Sequence, residues 1–242
     1  MVDASIVRKW VLDANDGIIS TTGIMQGFAG AGANEQTVLF AAVAVMVTGG
    51  LSLGGAAYAE AAQDRAAELE VIKRERELIR MSPEQQVAEL RTHYMERGLE
   101  PALAAQVADQ LSAKDPLAAQ LETEFGILED APPATRPLAV AARGVFGFIS
   151  GALPLTLTVV FVPDDWRFLV SMAVVVLSLM AAGLVSARAG VGHPMRSVSR
   201  SILIGLFIGL LSFLAGNVFD LVDQFLPQIE VDVTELTPSP SP

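Results

Sequence analysis

The sequence contains no cysteine. That excludes a disulfide, a thiolate metal site, an iron–sulfur cluster and a cysteine nucleophile, and leaves O, N and thioether S as the donors for any metal. Basic residues are scarce: 16 Lys and Arg stand against 27 Asp and Glu, for a net charge of -11. A phosphate backbone is held by clustered cations, so no nucleic-acid partner is expected, and the surplus of carboxylates favours cations instead. His93 and His193 are isolated, without the paired spacing of a zinc helix. There is no Gly-Lys-Ser phosphate loop, which leaves ATP-driven pumping unsupported. No nucleophile, base and orienting group can be assembled, so an enzyme is not expected. Residues 1–12 carry charge and lack an apolar core before a small-residue cleavage site, so the first helix is expected to stay in the mature protein.

What is plentiful is apolar sequence, 52% of the chain. A helix needs about 20 mostly apolar residues to cross a bilayer. Five uncharged stretches approach or pass that length, at 17–34, 36–59, 144–163, 168–187 and 201–219. The first is rich in Gly, Ala, Ser and Thr and belongs inside a bundle or at a subunit contact. The expected fold is therefore an all-α membrane protein, five transmembrane helices with a cytosolic helical insert between the second and third. Its parts are transmembrane helices 1–2 over 1–60, the insert over 61–136, transmembrane helices 3–5 over 137–222 and a flexible acidic, Pro/Ser-rich tail over 223–242. Positive loops stay cytosolic. Arg8 and Lys9 precede the first crossing, ten Lys and Arg from Arg65 to Arg143 fall between the second and third, and Arg188, Arg196 and Arg200 between the fourth and fifth. Arg167 alone falls on the other side. The N-terminus and the insert are thus expected in the cytosol, with the cell membrane as the expected location.

Within the insert, no breaker interrupts the second helix until Ser82-Pro83, where Ser82 is a candidate N-cap and Pro83 a first-turn residue. Gly98 ends the next helix, and Pro101 and Pro116 open two more. Gly pairs spaced by four (Gly23 and Gly27, Gly50 and Gly54, Gly147 and Gly151, Gly205 and Gly209) predict close helix packing.

Two acidic groups are candidate sites. Asp16 stands where the first apolar stretch begins: it suits a helix N-terminus at the interface, and equally a place where water, a cation or a proton meets a membrane carboxylate. Asp13, a turn earlier, reads as interfacial. The insert is dense in Glu, either as solvated helix faces paired with Lys and Arg or as an oxygen-rich cation site. Met25 and Met46 offer thioether sulfur or core filling. Asp220 and Asp223 read as an interfacial helix end or an exit site.

The residues "NDGIIST" on the first helix, "TGGLSLGGAAY" on the second, "KRERELI", "SPEQQVAEL" and "GLEP" in the insert and "GALPL" on the third crossing resemble the vacuolar iron transporter family, in order over about 13–219. The resemblance implies a homodimeric antiporter that exports Fe2+, Mn2+ or both from the cytosol against protons, with the metal as cargo and no cofactor. Asp16 then corresponds to the proton-coupling and metal-binding membrane carboxylate. Glu75, Glu89 and Glu124 correspond to ligands of a metal-collecting insert, and Glu60 partly compensates for a Glu absent at Ala57. Two copies of the first helix, joined through Gly23 and Gly27, would bring two Asp16 carboxylates to one pathway. The sequence departs from the pattern at Val45 and Leu53 in the membrane, and at Leu78, Gln86, Gln120 and Leu121 in the insert. Those losses motivate an alternative: a non-transporting membrane protein of the same fold, acting as a sensor or docking module.

Overall fold

The computed structural model describes the backbone of residues 4–128, 132–188 and 194–235, and the side chains of these except at 164, 194–197, 223 and 226–235. Glu129, Asp130, His193 and the side chains of Arg196 and Asp223 therefore lie outside the described residues. The elements are helices throughout: α1 (Ala4–Gly30), α2 (Glu35–Met81), α3 (Pro83–Glu96), α4 (Pro101–Lys114), α5 (Pro116–Gln120), a π-helical turn (Leu121–Phe125), α6 (Arg136–Phe161), α7 (Asp164–Arg188) and α8 (Pro194–Glu235). No strand occurs among the described residues. They form two compact units, one of Met1–Ala56 with Ala141–Pro242, the other Ala57–Val140.

Four helices, α2, α6, α7 and α8, are long and apolar enough to cross a membrane. Their apolar faces turn outward: only 17% of the best window of α8 and 22% of that of α7 is buried inside the chain. In water such a surface would aggregate; in lipid it is solvated. The protein is a multi-pass membrane protein. At 27 residues α1 is long enough to span as well, but its Asp, Asn, Ser, Thr and Gly lower its hydropathy, and its buried face includes Thr21, Thr22 and Gln26. Two of them are partnered within the bundle: Thr22 Oγ1 donates to the Ile18 carbonyl at 2.6 Å, and Gln26 Nε2 donates to Ser171 Oγ on α7 at 2.6 Å.

Small residues set how closely the helices approach. A methyl group at Gly17 would strike the Phe148 carbonyl of α6, and one at Gly151 the Ala14 carbonyl of α1. Gly30 and Gly216 do the same between α1 and α8. Gly23 and Gly27 also face α8, against Ile208 and Ser212 of the same chain. This corrects the expectation that they join two copies of α1: the spacing identified a packing face, and the neighbour filling it is intramolecular. Ile18, Met25, Val38, Ala42, Leu155, Val159, Val175 and Leu179 make the core between these helices. Met25, 2% exposed, is a core residue and offers no sulfur to an ion.

Arg167 receives a reason here. Its guanidinium donates to the Val159 and Val162 carbonyls (3.4 and 3.2 Å) at the C-terminal end of α6, and lies 3.6 Å from Glu35 at the start of α2. A cation is favoured at a helix C-terminus, so this lone charge pins three helix ends.

In the second unit α2 runs unbroken to Met81. Ser82 occupies the N-cap of α3 without a side-chain cap bond, and Pro83 opens the helix. Gly98, at φ +95°, ends it. Pro101 and Pro116 open α4 and α5, and Asp115 caps α5 by accepting from the Leu117 and Ala118 amides. Leu90, Ala108 and Ala119 form the small core, with Val87, Tyr94 and Leu111 against it. The expected tail is shorter than drawn: α8 continues through Pro227 to Glu235, and residues 236–242 lie outside the described ones.

Candidate functional site

Asp13 and Asp16 are three residues apart on α1, yet they meet different surroundings. Asp13, expected at the interface, is 4% exposed: Lys9 lies 3.5 Å from its carboxylate, and its Cβ packs against Gly147 of α6. Asp16 is exposed, and it lines a cavity of about 310 Å³ with Ser20 from α1, Val45, Thr48, Gly49, Ser52, Leu53 and Ala56 from α2, and Phe148 from α6. Phe148 fixes this arrangement. Its ring rests on Gly49 while its backbone presses on Gly17, the residue after Asp16, so α1, α2 and α6 meet around Phe148.

The cavity's chemistry is one carboxylate among three hydroxyls. Thr48 Oγ1 donates to the Ala44 carbonyl at 2.7 Å, which leaves its lone pairs facing outward as acceptors. Val45 and Leu53 supply apolar wall, at the two membrane positions where the resemblance leads one to expect Glu and Met. Such a set holds a hard cation through oxygen and water, or a proton. Asn15 Oδ1 and Thr21 Oγ1 on the same helix are buried without a hydrogen-bond partner, a feature not visible in the sequence. Glu60, one turn past Ala56 on α2, is exposed. Met46 is half-buried. Asp220 accepts from Gln224 Nε2 at 2.9 Å on the surface of α8.

The second constellation is in the other unit. Glu75 on α2 is 3% exposed, and burial pushes its carboxyl above the usual range. Glu124 and, less strongly, Glu89 raise it further, while Arg74 opposes them. The three glutamates singled out from sequence therefore share one electrostatic neighbourhood. Glu89 and Glu124 also line an open cavity of about 350 Å³ with Thr92, His93 and Glu96. His93, set aside as isolated, thus belongs to the acidic pocket; its Nε2 is shielded and unpartnered, and its ring meets Tyr94 edge-on. The signal was available in the spacing Glu89, His93, Glu96, which puts all three on one side of α3. Among the described residues no three His, Asp or Glu side chains are placed to grip one ion together.

The VIT family model matches residues 7–217. A vacuolar iron transporter of Acanthamoeba castellanii is 35% identical over 180 residues, 74% of this chain, which spans 64% of that longer protein. Vacuolar iron transporter 2 of Oryza sativa subsp. japonica is 26% identical over 209 residues, covering 86% of this chain and 85% of its own length. Vacuolar iron transporter 1 of Arabidopsis thaliana is 24% identical over 214 residues, 88% and 86% of the two chains. With a family model covering most of its length and a relative above 30% identity, the chain belongs to the VIT family, a family of transporters and not of enzymes.

Proposed function

We propose that this protein exports a divalent metal, Fe2+ or Mn2+, from the cytosol in exchange for protons, with α1 as a fifth crossing and the unit of α3 to α5 on the cytosolic side as a collector of ions. The observation that carries the reading is Asp16, an acidic side chain opening into a hydroxyl-lined cavity between membrane helices. A carboxylate holds a proton or a cation at one time, not both. Competition for that one group couples the two flows without any covalent chemistry.

A carboxylate on an outward face has a cost of about 2.5–3.5 kcal/mol near the bilayer centre. The same two helices expose large apolar residues: Leu12, Ile24 and Phe28 on α1, with Phe40, Val47 and Leu51 on α2. A second copy of the chain laid on these residues would shield Asp16 from lipid and enclose the cavity, which supports a homodimer built on this face and not through Gly23 and Gly27. In proteoliposomes, Fe2+ flux under a pH gradient is expected to fall to the leak level in Asp16→Ala; equal flux in both proteins rejects the assignment.

The sensor or docking reading has one observation in its favour, the apolar Val45 and Leu53 in the cavity wall. It predicts no binding of Mn2+ or Fe2+ by the insert and no pH-driven flux of either ion.

A further inference from the structure

We propose that Asp13 is a positioning residue for the ion at Asp16: a second negative charge, fixed against α6, which together with its counter-charge Lys9 sets how tightly the cavity holds a divalent cation. The inference rests on the reading of Asp16 as the ion-binding carboxylate and adds to it the pair of residues that tunes that binding.

Asp13 is 4% exposed, a burial rare for a carboxylate, and it forms no part of the cavity wall. Its seat is made by α6. A methyl group at Gly147 would stand 2.7 Å from the Asp13 Cβ and 3.5 Å from its Oδ2, so only glycine leaves the space. The next residue of α6 is Phe148, whose carbonyl meets Gly17, and Gly151 meets the carbonyl of Ala14. Residues 13, 14 and 17 of α1 are thus held against about one turn of α6, and Asp16 lies between them in sequence. The side chain of Asp13 cannot swing away without parting the two helices. On a helix, side chains three residues apart start about 5–6 Å from one another, so the spacing of the two carboxylates is set by the backbone.

The charges that act on Asp13 among the described residues are those of Lys9 and Asp16. From α6 it meets Gly147, and Arg143, one turn earlier on that helix, is exposed. Lys9 lies 3.5 Å from Asp13 Oδ1, but the Lys9 side chain is 53% exposed and that of Asp13 only 5%. The two partners therefore sit in different media. Water and salt screen the ammonium, and little screens the carboxylate on the side that faces the protein. The pair does not cancel at Asp16; it leaves a net negative field there. A group that only filled the gap at Gly147 needs no charge, and burying one is costly unless something positive lies close. Lys9 is one such partner, and a cation on Asp16 is the second. A field acts on an ion in proportion to its charge, so Asp13 stabilises a divalent ion twice as strongly as a proton or a monovalent ion at the same point. That bias favours metal over proton in the exchange without adding a ligand.

The test uses the full-length protein in proteoliposomes, with Mn2+ flux measured under a fixed pH gradient while Mn2+ is varied. Asp13→Asn keeps the shape and removes the charge; the half-saturating Mn2+ concentration is expected to rise about tenfold, with a much smaller change in the rate at saturation. Lys9→Gln removes the counter-charge and is expected to lower it about threefold, and the double variant to return close to the parent. Arg8→Gln, which removes an exposed neighbouring charge of the same sign, is expected to leave it unchanged; a drop as large as that of Lys9→Gln would trace the effect to surface charge in general and overturn the proposal. Shifts of opposite sign are the signature, since a pair that serves only to hold α1 on α6 is damaged in the same direction by either substitution. Shifts of the same sign, or none in Lys9→Gln, overturn the proposal, while loss of flux in Asp16→Asn would still uphold the reading of Asp16. If Asp13→Asn fails to fold, Lys9→Gln decides, because over half of its side chain stands in solvent. A parent that carries no Mn2+ removes the reading of Asp16, and this inference with it.

Discussion

The two acidic sites are opposites in construction. The membrane cavity has a single charge, and everything around it is fixed by backbone contact: Gly17 on the Phe148 carbonyl, Gly49 under the Phe148 ring. The pocket of the other unit has several charges, carried by short helices over a core of Leu90, Ala108 and Ala119. Under the proposed function, the first site would offer an ion little besides one carboxylate, and the second would attract ions by an excess of them. A binding step and a transfer step ask for different things. Retention needs many donors, while passage needs a donor that lets go.

The sharpest way to break this contrast is to neutralise one carboxylate in each. Asp16→Asn is expected to abolish coupled flux of Fe2+ or Mn2+, a loss of about a hundredfold or more, whereas Glu124→Gln is expected to lower flux only a few-fold and mainly at low metal, because other donors remain. Equal losses would show that the sites do not divide the work in this way. Next in size is the backbone contact. Gly17→Ala forces a methyl into the Phe148 carbonyl and is expected to destabilise the bundle by about 1–3 kcal/mol, whereas Gly55→Ala, with open space around it, is expected to be neutral; thermal unfolding in detergent reads both. A smaller effect is expected from Leu53→Met, which puts a thioether into the wall beside Asp16. It should raise Co2+ competition against Mn2+ a few-fold, because sulfur favours the softer ion, and competitive uptake measures it.

The smallest effect tests the buried carboxyl. Glu75 has a raised pKa in the folded protein, so the folded state holds its proton more tightly than the unfolded one. Its charge penalises folding above the folded pKa; the penalty fades as pH falls through that value and is gone below the unfolded value of about 4.3. Without metal, hydrogen exchange in α3 and α5 is therefore expected to slow on acidification from neutral pH. In Glu75→Gln that dependence should flatten, with slower exchange than the parent at neutral pH.

Much of the secondary structure was legible because it rests on local rules. Pro83, Pro101 and Pro116 open helices where proline tolerates an N-terminal turn, and Gly98 takes the left-handed conformation that ends one. The glycine spacing was legible as close packing, but not the partner: Gly23 and Gly27 meet α8, nearly 200 residues away, and a period of four carries no information about which helix fills the groove. The same limit hid Asp13. Its burial depends on Gly147 leaving room on α6, a long-range fact. His93 was overlooked for a different reason. A lone imidazole has no motif, and its neighbour Glu124 comes from another helix. Gln86 was read as a lost charge and Gln120 as a lost thioether, since the burial of both cannot be seen in one dimension.

Between Gln120 and Gly126 the chain makes its one π-helical turn among the described residues, Leu121–Phe125, carrying Glu122 and Glu124. A π turn is an α turn with a residue too many, and it persists only when the surroundings hold it. The direction in which Glu124 points therefore depends on the length of this segment as well as on its residue types. A chain one residue shorter between Gln120 and Gly126 would relax to ordinary α pitch and swing that carboxylate around the helix axis without altering any donor's identity. The placement of Glu124 is thus open to loss or recovery through a single-codon deletion or insertion, a route of divergence that comparing residue types position by position overlooks.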